Sequence, residues 1–252
     1  MRSRVPSLAF LFACLAFAFQ LGAAMTSEQA VLVLLNSKGS TTADVFAEAQ
    51  ETAERAAAAG EAFPQFALGV KTDDKALAER YLTAARPAVI ARAERQNDPL
   101  AWYLLSLETN NMKYLRRAAA GGNVQALNAL GTILIQRASN DKTLSTNEVA
   151  NAVFLGFGCF NRAASKRDPN GFVNLGTCYL RGIGCKTDKQ MAVSCFEAAA
   201  EAGHPEGMEN LADCYRVGDG VEKSVELCLY WEMKARASRG DEAAAKWLKE
   251  RK

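Results

Sequence analysis

The stretch Gly171-Phe-Val-Asn-Leu-Gly-Thr-Cys-Tyr-Leu-Arg-Gly-Ile-Gly184 decides the fold, because it returns 36 residues later as Gly207-Met-Glu-Asn-Leu-Ala-Asp-Cys-Tyr-Arg-Val-Gly-Asp-Gly220. Seven of the 14 positions are identical, where unrelated segments would share about one. The chain is therefore built from tandem repeats. Each copy reads as two helices. Asp168-Pro169 and His204-Pro205 place an N-cap before a proline at the first helical position, and Gly171, Leu175, Cys178 and Tyr179 then recur at helical spacing. Gly182 and Gly184 stop the first helix. Asp188 or Ser224 opens a second, whose inner face carries Ala192, Cys195, Phe196 and Ala199 in one copy and Cys228, Trp231 and Ala235 in the next; Gly203 or Gly240 closes it. Gly176, Ala212 and the run Ala198-Ala199-Ala200 keep side chains small where helix axes approach.

The pattern Leu175-Gly176, Tyr179, Gly182, Gly184, followed by Asp188, Ala192 and an alanine-rich close, resembles the Sel1-like repeats, relatives of the tetratricopeptide repeats. Residues 167–240 carry the resemblance; the second copy departs from it at Ala212, at Ser224 and by one extra residue before Gly240. The resemblance implies an all-α, right-handed α-solenoid of helix-turn-helix repeats, a scaffold that binds a protein or peptide on its concave face.

Working outward, Tyr114 to Gly131 holds the close of one unit and the opening of another. That next unit is about nine residues longer, and its polar segment 137–147 reads as an enlarged loop, with Ser145 and Glu148 spaced as a capping box. Asp73 to Ala85, Asp98 to Leu107 and Asn111 to Ala120 continue the helical pairs in degenerate form, with Pro87 breaking the pattern. Four to five units result. The expected organisation is an N-terminal helical cap over 25–60, with Thr42 opening its alanine- and glutamate-rich part, a solenoid over 61–240, and a C-terminal capping helix over 241–252 that turns Trp247 and Leu248 inward.

The first 24 residues read as a secretory signal peptide: Arg2 and Arg4 form a basic start, Leu8 to Leu21 an apolar run, and Gly22-Ala23-Ala24 a small-residue cleavage site. A lipid attachment at Cys14 would strand the rest of an apolar run that continues seven residues past it, and the run is short for a membrane span. Export to a periplasmic or extracellular space is the expectation, with no stable membrane insertion after cleavage. Removal of Arg2 and Arg4 leaves 28 basic against 28 acidic residues. Such a balance gives no electrostatic reason to expect nucleic acid, and a hydrophobic share of 49% with 23% charged excludes a disordered or collagen-like chain.

Groups that could be paired for catalysis are few. His204 is the one histidine, and its place before Pro205 makes it a linker or N-cap residue rather than a general base. No C-x-x-C pair and no second histidine are present, so neither a zinc site nor any other cofactor is expected. Ser139-Asn-Asp-Lys142 matches the S-x-x-K spacing of penicillin-interacting enzymes, but in a solvated loop rather than at a helix start inside a cleft. A non-enzyme is expected, with weak hydrolysis of a β-lactam or envelope substrate as the alternative from the enzyme class and a purely structural envelope component as a third reading.

Six cysteines follow the leader, all between Cys159 and Cys228, and each stands where another repeat has a hydrophobe. Buried thiols are one reading. The other is a pair of disulfides, Cys159 to Cys178 and Cys195 to Cys214: each spans 19 residues, from the second helix of one unit to the first helix of the next, and the same relation links Tyr114 with Ile133. Cys214 with Cys228 is a rival pairing, and Cys185 and Cys228 are otherwise left as thiols. For the binding face, Asn174 and Asn210 occupy equivalent positions at the edge of the apolar stripe, with Thr177, Arg181 and Asp213 beside them. These five could hydrogen-bond an extended peptide bound to a monomer, or the asparagines could tie adjacent helices together.

Overall fold

The computed structural model describes residues 25–35 and 43–251. The segment 1–24 expected to be a signal peptide, with Cys14, and the expected capping role of Thr42 lie outside them. Among the described residues every regular element is a helix: α1 (Ser27–Leu35), α2 (Ala43–Ala58), α3 (Ala62–Lys71), α4 (Lys75–Gln96), α5 (Pro99–Thr109), α6 (Met112–Ala120), α7 (Val124–Asn140), α8 (Thr146–Ser165), α9 (Pro169–Arg181), α10 (Lys189–Glu201), α11 (Pro205–Val217), α12 (Val225–Ser238) and α13 (Glu242–Lys249). The fold is an all-α solenoid of helical hairpins. It divides into two compact units, one ending at Leu127 and the other starting at Asn128, a boundary inside the 61–240 span read as one solenoid.

In the first unit, Met25, Ala30, Val33 and Leu34 of the α1 region bury against Ala49 and Ala53 of α2, with Leu68 of α3 packed on them. Residues 27–35 and 43–58 are thus helical, as their composition suggests. Pro87 does not break the pattern: α4 runs for 22 residues straight through it. The ring removes one intrahelical hydrogen bond and crowds the carbonyl one turn back, but Pro87 lies on an exposed face. Ala85, Val89 and Ala93, all buried on the opposite stripe, hold the helix on both sides of it.

In the second unit, helix ends follow the residues that the repeat provides. Ser145 and Glu148 close a reciprocal capping box at α8. Asp168, Asp188 and Ser224 cap α9, α10 and α12 through their side chains, and Gly182 and Gly218 end α9 and α11 in the left-handed region at φ 70° and 87°. The expected loop over 137–147 is corrected by the structure. Helix α7 continues to Asn140, so that α7 has 17 residues and α8 has 20, against 13 each in α9, α10 and α11. The extra length of this unit is taken up largely as helix, because residues 137–140 can extend α7 and Arg137 reaches Asp141 one turn on.

Two side-chain clusters fill the second unit. Phe160, Ala164, Leu175, Cys178 and Cys195 form one, and Ala192, Val193, Phe196, Met208, Leu211, Cys214 and Ala235 the core of the other, with Tyr179 touching both. Hairpins stack closely because glycines stand where one backbone meets another. A Cβ at Gly184 (φ 73°) would lie 2.5 Å from the Val153 carbonyl oxygen on α8, and one at Gly220 (φ 76°) 2.2 Å from that of Lys189 on α10. Positions 153 and 189 are one repeat apart, so the same turn docks on the same place twice.

Candidate functional site

The residues singled out for a binding face sit on α9 and α11 of the second unit, and the structure separates them. Asn174 is committed to its neighbours. Its Nδ2 donates to Asn128 Oδ1 on α7 at 3.3 Å, and Asn128 Nδ2 in turn donates to Asp168 Oδ2 at 2.7 Å, the same oxygen that accepts Gly171 N–H at 2.7 Å. This is the tie between helices that was the other reading of the asparagines. Thr177 is half-buried and returns its hydroxyl to the Val173 carbonyl of its own helix. Arg181 and Asp213 are exposed, Asp213 paired with Arg216, and Asn210 is half-buried beside it on α11. The open polar surface is therefore Asn210, Asp213 and Arg216 on α11, with Arg181 at the end of α9.

Behind that surface lies a buried polar line. Asp168 is 1% exposed, and its second oxygen, Oδ1, has no hydrogen-bond partner. Burial pushes its carboxyl above the ordinary carboxylate range, against the opposing pull of Asn128 and the Gly171 N–H. One repeat on, His204 caps α11 as its position suggested: Nδ1 accepts Gly207 N–H, and Nε2 meets Asn170 Oδ1 at 3.1 Å. Burial, then the nearby Arg239, lower the proton affinity of the ring. Sequence reasoning missed Asn128, because it stands 40 and 46 residues from its partners and outside the quoted repeat.

All six described cysteines are thiols in the structure, and neither Cys159–Cys178 nor Cys195–Cys214 is bridged. Cys178 and Cys195 share one cluster, with Cys185 packed against it and its Sγ 3.5 Å from the Cys178 carbonyl; Cys214 belongs to the other cluster. Burial raises the thiols of Cys178 to about 12 and of Cys195 and Cys214 to about 11, which leaves them almost wholly protonated at neutral pH. Ser139 lies on the last turn of α7, not in a loop, and donates to the Ile135 carbonyl. Among the described residues no group of three or more His, Cys, Asp or Glu side chains is placed to hold a metal ion, and no helix is long and apolar enough to cross a membrane.

A second surface went unread in the sequence although it keeps the same 36-residue register. Leu155, Met191 and Leu227 stand at equivalent positions on α8, α10 and α12 and are 45%, 43% and 40% exposed. Each lies on the outer side of its second helix.

Stacked hairpins joined by glycine turns and ruled by one repeat length define a helical-repeat protein. The repeat itself matches the family model of the Sel1 repeat over residues 112–123, 173–204 and 205–231, so the chain carries Sel1-like repeats. Solved structures similar to it include a Sel1 repeat protein from Oxalobacter formigenes, 28% identical over 51% of this chain and 92% of that one, with a TM-score of 0.44. Another is c5321, a protective antigen present in uropathogenic Escherichia coli strains and displaying an SLR fold, 17% identical over 91% of this chain and 56% of that one, with a TM-score of 0.38. No curated protein matches the chain.

Proposed function

We propose that the protein is an exported, non-catalytic scaffold that binds a protein or peptide partner through the polar face of α11, where Asn210, Asp213 and Arg216 stand together, extended by Arg181 from α9. The observation that carries this reading is the division of labour among equivalent residues. Asn174 is consumed in holding α9 to α7, while Asn210 at the same repeat position makes no side-chain hydrogen bond among the described residues and lies beside exposed charged groups. A Sel1 repeat scaffold fits such an interaction role. The non-catalytic reading is supported at Ser139, whose hydroxyl is turned back onto its own helix on an exposed turn.

The test is capture of partners from the exported compartment, with Asn210→Ala/Asp213→Ala as the control. A partner held by the wild type and released by the folded double variant supports the proposal; a partner held equally by both removes this face from it. Turnover of a β-lactam that disappears in Ser139→Ala would replace the reading with the enzymatic one.

A further inference from the structure

Successive first helices of the second unit are capped by different chemistry at one repeat position: Asp168 before α9 and, 36 residues on, His204 before α11. His204 is 2% exposed, and both ring nitrogens are in use. Nδ1 lies 3.4 Å from the Gly207 backbone nitrogen and Nε2 3.1 Å from Asn170 Oδ1 on α9. A backbone N–H can only donate and an amide oxygen can only accept, so the two contacts together fit one form of the ring: neutral imidazole with its proton on Nε2. The main chain of the same residue donates to the Ala199 carbonyl of α10 at 3.0 Å. One residue thus joins α9, α10 and α11.

We infer that His204 is a proton-sensitive latch between the α9–α10 and α11–α12 hairpins, which holds α11 in place when neutral and releases it when protonated. A proton arriving at Nδ1 sets one donor against another, the ring N–H against Gly207 N–H, and the cap is lost. It also places a buried cation near Arg239. That guanidinium, just past α12, is held by Glu209 and feels Glu206. From α9 the ring meets Asn170 and from α11 the Gly207 N–H, while its main-chain N–H takes the Ala199 carbonyl of α10; among the described residues no carboxylate is bonded to the ring to welcome the charge.

The sign follows from linkage. Burial and Arg239 put the folded ring below the ordinary 6.5, so the contribution of His204 to stability is present above 6.5 and is lost as pH falls from there through the lower folded value. Asp168, at the equivalent cap, responds in the opposite sense. Its buried carboxyl takes up a proton more readily than a free one. Acid therefore loosens the α9/α11 junction selectively and spares the α7/α9 junction.

Because the chain has one histidine, nuclear magnetic resonance of the 13C-labelled imidazole reads the latch without assignment. The expected result is the Nε2–H form at neutral pH and a midpoint below 6.5; an Nδ1–H form, or a midpoint at or above 6.5, overturns the inference. Limited proteolysis supplies the second readout, with His204→Asn as a cap that does not titrate. Between about pH 7.5 and about pH 5, cleavage within 205–238 should rise roughly threefold or more in the wild type relative to the variant. An equal pH response in the two proteins, both folded at the higher pH, would overturn the latch.

Discussion

The unit that ends at Leu127 and the unit that begins at Asn128 are both all-helical, yet their helices are held by different means. In the first, helix lengths run from 9 to 22 residues, and long side chains do the joining. Arg92 covers the Phe63 ring at 4.3 Å while it bonds Asp98 and Glu28; Arg86 grips Glu108; Arg117 lies over Trp102, which stacks on Tyr114. In the second, the helices from α9 to α12 have 13 or 14 residues, and glycine turns docked on a neighbouring backbone join them, beside the Lys189–Asp219 and Arg239–Glu209 ion pairs. The difference explains where the repeat can be read. A left-handed turn against a neighbouring carbonyl admits glycine almost alone, so the sequence must recur with the geometry. An arginine over an aromatic ring has many substitutes, so the geometry can recur while the sequence drifts.

The largest expected effect that separates the two modes is at Gly220. Gly220→Ala meets both a positive φ and a carbonyl in the way and should cost about 3 kcal/mol. Gly240→Ala, at φ 91° with nothing within 4 Å of an added Cβ, should cost only about 1 kcal/mol. Denaturant unfolding of both variants measures the difference; equal costs would mean that close docking of the turn contributes nothing. In the first unit the sign reverses. Pro87→Ala restores a helix hydrogen bond on an exposed face and should stabilise by about 1–3 kcal/mol, and a loss instead would show that Pro87 is needed for packing.

Next come the caps. Asp168→Ala should cost about 1 kcal/mol as a lost N-cap. Because burial holds the folded carboxyl above the ordinary 3.8, the advantage of the wild type over Asp168→Asn should be complete below 3.8 and shrink as pH rises through the folded value. Unfolding of both proteins across that range checks the sign, and an advantage that grows with pH would mean that the carboxylate is favoured in the fold. For the cysteines, peptide mapping of non-reduced protein should return Cys159, Cys178, Cys185, Cys195, Cys214 and Cys228 unlinked, as they stand in the structure. A Cys159–Cys178 or Cys195–Cys214 link would show that the 19-residue spacing sets bridges. The smallest effect belongs to the exposed row: Leu155→Ser with Met191→Ser should change stability by under about 0.5 kcal/mol each, and a larger loss would place that row within the packing.

Much of the second unit was legible because its caps and stops are chemical necessities written locally. Asp168, Asp188, His204 and Ser224 each cap the helix that follows, and Ser145 with Glu148 marks the start of α8. Local signals failed in two places. Pro87 signals a break, but the stripe Ala85, Val89, Ala93 keeps α4 whole, and residues 137–140 look like loop yet continue α7. The site was half legible. The repeat singled out Asn174 and Asn210 together, and only contacts 46 residues apart in sequence show that the first of them is already bound to Asn128.

The central claim, that the polar face of α11 rather than the apolar row on the second helices takes the partner, is tested most directly by titration calorimetry. The captured partner is titrated into the wild type, into Asn210→Ala/Asp213→Ala and into Leu155→Ser/Met191→Ser, each variant first shown to be folded. The account predicts affinity reduced about tenfold or more in the α11 variant and unchanged in the other. Unchanged binding in the α11 variant, with loss in the Leu155 and Met191 variant, would contradict it.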